Sequence, residues 1–172
     1  MQFKDLLRGT VLLIAVEATG LATISAITIN AAGDDILASL SLGWWLIAIV
    51  GGIWFGRPSR TRRALAGPLA NARTVTQLPS ESPARIALAR LWPIGLFAIL
   101  AGAAGPLLPQ VPAIATGFAL GVATAWRNRE AAVTAVEERD GVCFYVENGS
   151  AFDPIKLIRT PGLMRGAPVG SG

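Results

Sequence analysis

The residue with the clearest chemical potential in this sequence is Glu17, an acid inside an apolar run. Residues 11–27 read VLLIAVEATGLATISAI, and Glu17 is the one charged residue among them. An acidic side chain at the middle of a membrane helix costs about 2.5–3.5 kcal/mol on insertion scales, so it faces protein or water and not lipid. Such a carboxyl group can exchange a proton for a cation, or it can bind a neighbouring helix.

Two interpretations of Glu17 remain open from its surroundings. Helical spacing brings Gly20 next to it and Thr10 two turns below, and Gly20 permits a second helix to approach closely. None of the apolar runs contains Lys or Arg, so an ionic partner would have to come from another chain. The carboxyl group is therefore either an ion-coupling group or a contact between helices or subunits, with Thr19 and Thr116 as possible hydroxyl partners.

A short stretch around this acid is similar to part of a known family. LLIAVEATG, residues 12–20, resembles the segment that carries the essential glutamate in the first span of small multidrug-resistance exporters. The resemblance covers nine residues, and it implies proton-coupled chemistry at Glu17. The 34 residues of 57–90 and the long tail depart from that family, so the likeness concerns the glutamate and not family membership.

Four apolar runs must position this residue. They cover Gly9 to Ile29, Ile36 to Phe55, Leu91 to Leu108 and Val111 to Trp126. About 20 apolar residues in a helix cross the roughly 30 Å core of a bilayer. We therefore predict an all-α membrane protein, a four-transmembrane-helix bundle with a small cytoplasmic β-hairpin tail. The predicted segments are an N-terminus (1–8), helices 1 and 2 (9–56), a basic loop (57–90), a helical hairpin of helices 3 and 4 (91–126) and a tail (127–172).

Two helix starts are visible in this pattern. Ser82 is the predicted N-cap of the third helix, with Pro83 at its first position. The second apolar run begins with the semi-polar stretch ILASLSLG, which leaves a start nearer Leu42 open.

The basic residues predict the orientation. All 15 Lys and Arg lie before the first run, between the second and third, or after the fourth. The positive-inside rule then places both termini in the cytoplasm. The Ala, Gly and Arg content suggests a bacterial plasma (inner) membrane. The basic loop lacks interleaved aromatic residues, so we expect no nucleic acid but contacts with anionic lipid head groups or a partner, through Arg57, Arg60, Arg62 and Arg63.

The tail carries β-strand signals. Asp140-Gly141 predicts a hairpin turn, followed by the alternating residues 142–146, and residues 155–159 predict a further strand. Asn148-Gly149 predicts a second turn. Alternatively, the fourth helix continues to about Glu138, and only the second hairpin forms. Such short strands need a surface to cover, so Phe144 and Tyr145 are predicted contacts to a partner or to lipid. Residues 164–172 are expected to be disordered.

Small residues mark where helices pack. Gly52 and Gly56 form one GxxxG motif, Gly117 and Gly121 form another, and Gly102 adds a small face to the third run. Such spacing permits close helix packing within the bundle or between two copies.

Composition excludes several classes of enzyme. The chain has no His and a single Cys, which removes His-based triads and Cys/His metal clusters. The acids show no recognisable metal-ligand spacing, so we expect no enzyme and no cofactor. The remaining hypotheses are an accessory, scaffold or assembly subunit in a homo-oligomer or larger membrane complex, and a small oligomeric proton- or cation-coupled transporter or channel using Glu17.

Overall fold

The structure, a computed structural model, describes residues 1–74, 82–147 and 149–161. In these ranges it is mostly helical, with one small sheet. The helices are α1 (Phe3–Ala32), α2 (Asp35–Phe55), α3 (Pro58–Ala70), α4 (Pro83–Ala104), α5 (Gln110–Trp126) and α6 (Arg129–Asp140), and the strands are β1 (Arg73–Thr74), β2 (Val142–Val146) and β3 (Leu157–Pro161).

Three helices, α1, α2 and α4, are long and apolar enough to cross a membrane. This supports a membrane protein and confirms the coarse fold class. The fourth predicted span, α5, has 17 residues and rises only about 25 Å. Its length alone therefore does not establish a fourth crossing.

The longest helix, α1, runs through two separate cores. Its 30 residues rise about 45 Å, more than the thickness of a hydrocarbon core. Buried residues recur every three or four positions along its whole length, which is the spacing of a single helix face: Phe3, Leu6, Leu7, Thr10, Ile14, Ala18, Leu21, Ser25 and Ile29. The C-terminal part of this face packs in the helical bundle, whereas Phe3, Leu6 and Leu7 pack in a separate hydrophobic core.

The helix α5 lies at the centre of the bundle. It packs against α1, α2 and α4, and its buried residues are small: Pro112, Ala113, Ala115, Thr116 and Gly117. The helix α2 buries only Ser41 and Gly52, and most of its large apolar side chains are exposed, as expected for helices surrounded by lipid. The bundle therefore has a core of small residues and an apolar outer surface.

The helix ends follow local signals. Gly33 closes α1 in the left-handed conformation at φ 65°, which glycine adopts without a Cβ penalty. Asp34 then caps α2 by accepting a hydrogen bond from the Leu37 N–H at 2.8 Å. The helix α2 therefore starts at Asp35 and not near Leu42. Pro83 occupies the first position of α4, as predicted, although the side chain of its N-cap Ser82 makes no capping hydrogen bond.

A second hydrophobic core forms a cap at the basic end of the bundle, where α1 and α4 begin and α2 and α5 end. We call this unit the cap; it comprises the first turns of α1, the start of α4, α3, α6 and the three strands. Its buried apolar residues are Phe3, Leu6, Leu7, Leu65, Leu69, Ile86, Val133, Val142, Phe144, Val146 and Leu157. The predicted basic loop 57–90 therefore contains the amphipathic helix α3, with Thr61, Leu65 and Leu69 buried, and is not simply a loop.

The sheet differs from the predicted hairpin. Its order is β1-β3-β2, with β1 parallel and β2 antiparallel to β3. Asp140-Gly141 is not a hairpin turn, because α6 runs to Asp140 and Gly141 closes it at φ 60°. The strand signals after Gly141 and near residue 157 are confirmed. The predicted disordered end, 164–172, lies outside the described residues, as does Asn148 of the second predicted turn.

Two charged side chains join the cap together. Glu137, 6% exposed, accepts a hydrogen bond from the Phe144 N–H at 2.9 Å and lies 3.3 Å from Lys4 Nζ. Arg90, 9% exposed, donates to the backbone carbonyls of Glu147 (3.2 Å) and Asp153 (3.4 Å). Glu137 thus connects α6 to β2 and α1, and Arg90 connects α4 to the segment between β2 and β3.

The Glu137 connection gives a direct test of the cap. We expect Glu137→Ala to lower the free energy of cap unfolding by about 1–3 kcal/mol, because a buried N–H and an ammonium group lose their acceptor. Cys143 in β2 is half-buried, so maleimide alkylation of this single thiol reports the opening. The matched control is Glu138→Ala, because Glu138 is exposed. Equal alkylation rates for the two variants would contradict the assigned role.

Candidate functional site

Glu17 lies at the edge of the buried face of α1, next to the fully packed Ala18. Its side chain is half-buried and faces α4, where a Cβ added to Gly95 would lie 3.8 Å from Glu17 Oε1. That oxygen is enclosed, yet it has no hydrogen-bond partner within the described residues. An enclosed acceptor without a donor is costly, so the Glu17 carboxyl group is the candidate site for a contact with a further group.

The polar residues predicted as neighbours of Glu17 do not donate a hydrogen bond to its carboxyl group. The Thr10 hydroxyl donates to the Leu6 carbonyl at 2.7 Å, and the Thr116 hydroxyl donates to the Pro112 carbonyl at 2.7 Å. Thr19 likewise donates to the Ala15 carbonyl of its own helix. Because each hydroxyl bonds the preceding turn, these residues do not form a relay to the carboxyl group. Gly20 is exposed, and a Cβ there would meet open space.

The two GxxxG motifs face each other in the contact between α2 and α5. A Cβ on Gly52 would overlap Thr124 Oγ1 and the Gly121 carbonyl, and a Cβ on Gly56 would lie 2.6 Å from the Ala125 carbonyl oxygen. On the other side, a Cβ on Gly117 would overlap the Trp44 indole. The structure thus places these glycines at an intramolecular contact. Gly102 packs against α1, where an added Cβ would lie 3.0 Å from Ile24 Cδ1.

Two tryptophans strengthen the same contact, a feature that the sequence prediction missed. Trp45 Nε1 donates to the Ala113 carbonyl at 2.8 Å, and Trp44 Nε1 donates to the Ile114 carbonyl at 3.2 Å. An indole N–H in an apolar medium needs an acceptor. Adjacent tryptophans near the middle of an apolar run were therefore a signal that α2 lies against another helix backbone.

Aromatic–arginine pairs mark the basic end of the bundle. The Arg57 guanidinium stacks 3.8 Å from the Trp54 ring centroid, Arg129 stacks 3.8 Å from Trp126, and Arg60 lies 5.4 Å from Phe55. Burial lowers the pKa of the Arg129 guanidinium below its ordinary value. This belt is the arrangement that suits a membrane interface.

The other predicted contact residues of this end differ in exposure. Arg62 and Arg63 are exposed on α3. Phe144 is 2% exposed and belongs to the cap core, so its predicted role as a surface contact is corrected: alternation along β2 turns it inward. Tyr145, on the opposite face, is half-buried and pairs through its backbone with Gln2.

Comparison with known proteins assigns no family. No family model matches the chain, and neither a curated protein nor a solved structure is similar to it. Within the described residues, no group of three or more Cys, Asp or Glu side chains could hold a metal ion. The chemistry of this chain must therefore be argued from its own geometry.

The glycine contact yields a paired prediction. Gly52→Ala should lower the free energy of unfolding by about 1–3 kcal/mol, because the new methyl group overpacks the α2–α5 contact. Gly51→Ala is the matched control, since a Cβ there meets nothing within 4 Å. Thermal unfolding of both variants in detergent would measure the difference. A Gly51 variant that is as destabilised as the Gly52 variant would contradict the assigned contact.

Proposed function

We propose that this chain is an integral membrane accessory or assembly subunit, which contacts a second polypeptide in the bilayer beside Glu17. The observation that carries the proposal is the enclosed Glu17 Oε1 without a hydrogen-bond partner in the described structure. Because Glu17 is only half-buried, a rotation of its carboxyl group would turn an oxygen toward the open side of the α1–α4 contact, where a donor from another chain would remove the cost of leaving the acceptor unpaired.

The open side of the α1–α4 seam suits such a contact. Gly20 of α1 is exposed with room around it. On α4, Ile99 lies one turn after Gly95 on the same side of the helix and is 69% exposed. The GxxxG glycines, in contrast, are occupied by the α2–α5 contact. A partner helix would therefore approach α1 and α4 and leave the α2–α5 contact undisturbed.

The alternative, a proton- or cation-coupled transporter or channel, has less support. A transport path needs polar groups from several helices at similar depth. The hydroxyls of Thr10, Thr19 and Thr116 are bonded within their own helices. Glu17 thus lacks the second and third groups of a relay in the part of the chain that the structure describes.

We infer a multi-pass protein of the bacterial plasma membrane with four crossings and both termini in the cytoplasm, because the arginine–tryptophan pairs and all the described Lys and Arg residues lie at the cap end.

The proposal includes a second contact surface, on the cap. The exposed arginines of α3 would bind anionic lipid head groups or an acidic partner. Phe152, 80% exposed beside Trp92 of α4, would insert into the same interface.

The partner contact is tested at Glu17. We expect Glu17→Leu to abolish co-purification of a stoichiometric second polypeptide from the native membrane. The isolated variant should unfold at a temperature equal to or higher than that of the natural chain, because the substitution removes an unpaired polar group. Mass spectrometry of the gently extracted complex and a thermal scan give the two readouts.

The control for this experiment is Thr19→Val, an exposed hydroxyl at similar depth that bonds only its own helix. That variant should retain the partner. Protonophore-sensitive cation flux in liposomes containing only this chain, lost in Glu17→Gln, would refute the accessory function and support the transporter.

The orientation is tested separately with single cysteines. In a Cys143→Ser background, an impermeant maleimide should label Ala32→Cys in intact spheroplasts, because Ala32 lies at the end opposite the cap. Ser150→Cys, exposed in the cap, should be labelled only after permeabilisation. The reverse pattern would place the cap outside the cell.

A further inference from the structure

A cleft of about 320 Å³ opens in the cap between α3, α6 and the sheet. Its apolar wall includes Leu65 and Val136, and the charged residues of its lining are Arg62, Arg139, Asp140 and Arg159. This volume lies in the range of small-molecule sites, which combine an apolar lining with a few polar groups.

Arg159 interrupts the apolar inner face of the sheet. It lies directly opposite Phe144 in the antiparallel pairing of β2 and β3, and residues that are opposite in this way share one face of a sheet. Phe144 and Leu157 of this face are buried in the cap core, whereas Arg159 is half-buried. A cation at an inward position beside apolar neighbours needs an anion to match its charge.

The described residues do not supply that anion. Both carboxylate oxygens of Asp140 accept hydrogen bonds from the Arg139 guanidinium, at 2.8 and 3.3 Å. Neither ion pair within the described residues includes Arg62 or Arg159, and the lining carries a net charge of +2. Arg62 is exposed and Arg159 is half-buried, so both retain surface that a ligand in the cleft can touch.

The level of the cleft along α1 separates its ligand from bilayer lipid. Leu21 and Ala115 belong to one cluster of the bundle, and α5 ends at the cap, where α1 begins. Trp126 follows Ala115 by eleven residues and therefore lies at about the level of Thr10. This tryptophan marks the edge of the hydrocarbon core.

The α6 end of the cleft lies beyond the head groups. Lys4 precedes Thr10 by six residues, which places it about 9 Å outside the level of Trp126, and it contacts Glu137 of α6. Arg139 follows Glu137 toward the end of that helix. Because a head-group layer is about 5–7 Å thick, this part of the cleft faces the aqueous phase.

We propose that this cleft binds a small soluble organic oxyanion, a carboxylate or a phosphate ester, with an apolar body. The N–H groups of Arg62 and Arg159 would bind the oxyanion, because a guanidinium fork matches carboxylate and phosphate geometry. The apolar body would contact Leu65 and Val136.

The test uses phenyl phosphate as the probe and the full chain in phosphatidylcholine nanodiscs, with empty nanodiscs as background. Titration calorimetry measures the affinity. We expect phenol, which lacks the charge, and inorganic phosphate, which lacks the apolar body, each to bind at least about tenfold more weakly. Ala66→Phe should abolish binding, because Ala66 lines the cleft and the larger side chain would fill it.

Substitutions of the arginines measure their contributions. Arg159→Gln should weaken binding of the probe about tenfold, and Arg62→Gln, at an exposed position, about threefold. Arg85→Gln and Lys156→Gln are the matched controls, because both residues are exposed and outside the lining, and they should leave the affinity unchanged. The exposed Arg62 keeps the proposal testable if Arg159→Gln unfolds the cap.

The thiol of Cys143 gives a second readout. Cys143 precedes Phe144 in β2 and therefore lies on the opposite face of the sheet, so a ligand in the cleft does not cover it. A ligand that binds only the folded cap should slow maleimide alkylation about tenfold at ten times its Kd. The same probe concentration should slow alkylation much less in Arg159→Gln.

Two further measurements test other occupants. Native mass spectrometry of the chain released from nanodiscs containing phosphatidylglycerol should show no lipid whose retention depends on Arg159. A chain that ends at Gly162 should bind the probe with the same affinity as the full chain.

Four results would overturn the proposal. They are equal binding of phenyl phosphate and phenol, equal affinity of the arginine variants and their controls, a phosphatidylglycerol molecule lost in Arg159→Gln but kept in Lys156→Gln, and binding by the shortened chain alone. None of these results bears on the partner contact at Glu17, because that contact is read by co-purification.

Discussion

The length of α1 is the constraint on which the rest of the structure depends. A helix that rises about 45 Å cannot be enclosed by a hydrocarbon core of about 30 Å. Its first turns must therefore be covered by protein, and Phe3, Leu6 and Leu7 supply the surface on which the cap assembles. Because the same buried face continues to Ile29, the cap and the bundle share one rigid element, and a substitution near residue 3 and one near residue 25 act on the same helix.

The bundle solves a second problem, which is packing without a hydrophobic driving force. Apolar side chains gain little by leaving lipid for a protein interior, so close contact and hydrogen bonds must supply the attraction. The glycines of α2 and α5 bring two backbones together, and the indoles of Trp44 and Trp45 donate across the same contact. The large apolar residues are left on the outside, where lipid covers them.

Against this background, unsatisfied polar atoms are informative. Most hydroxyls of the bundle bond the preceding turn of their own helix, as Thr10 and Thr116 do. Within the described residues, Glu17 Oε1 and the Ser25 hydroxyl have no hydrogen-bond partner. They lie about 12 Å apart along α1. Of the two residues, Ser25 is fully buried, whereas Glu17 is half-buried beside α4, and the partner contact is therefore proposed at Glu17.

The sequence by itself determined the apolar helices, the segregation of the basic residues and the position of Glu17, because these depend on local composition and on the thickness of the bilayer. It also indicated the strands that follow Gly141. It did not reveal that α3 is a cap helix or that Asp140-Gly141 ends a helix, because a DG pair serves equally as a hairpin turn and as a helix terminus, and only the packing of Val133 and Glu137 decides between them. Nor could it show that Phe144 is enclosed, or that Glu17 Oε1 is enclosed without a hydrogen-bond partner in the described part of the chain. Those facts depend on contacts between residues far apart in the chain, which only the tertiary structure creates.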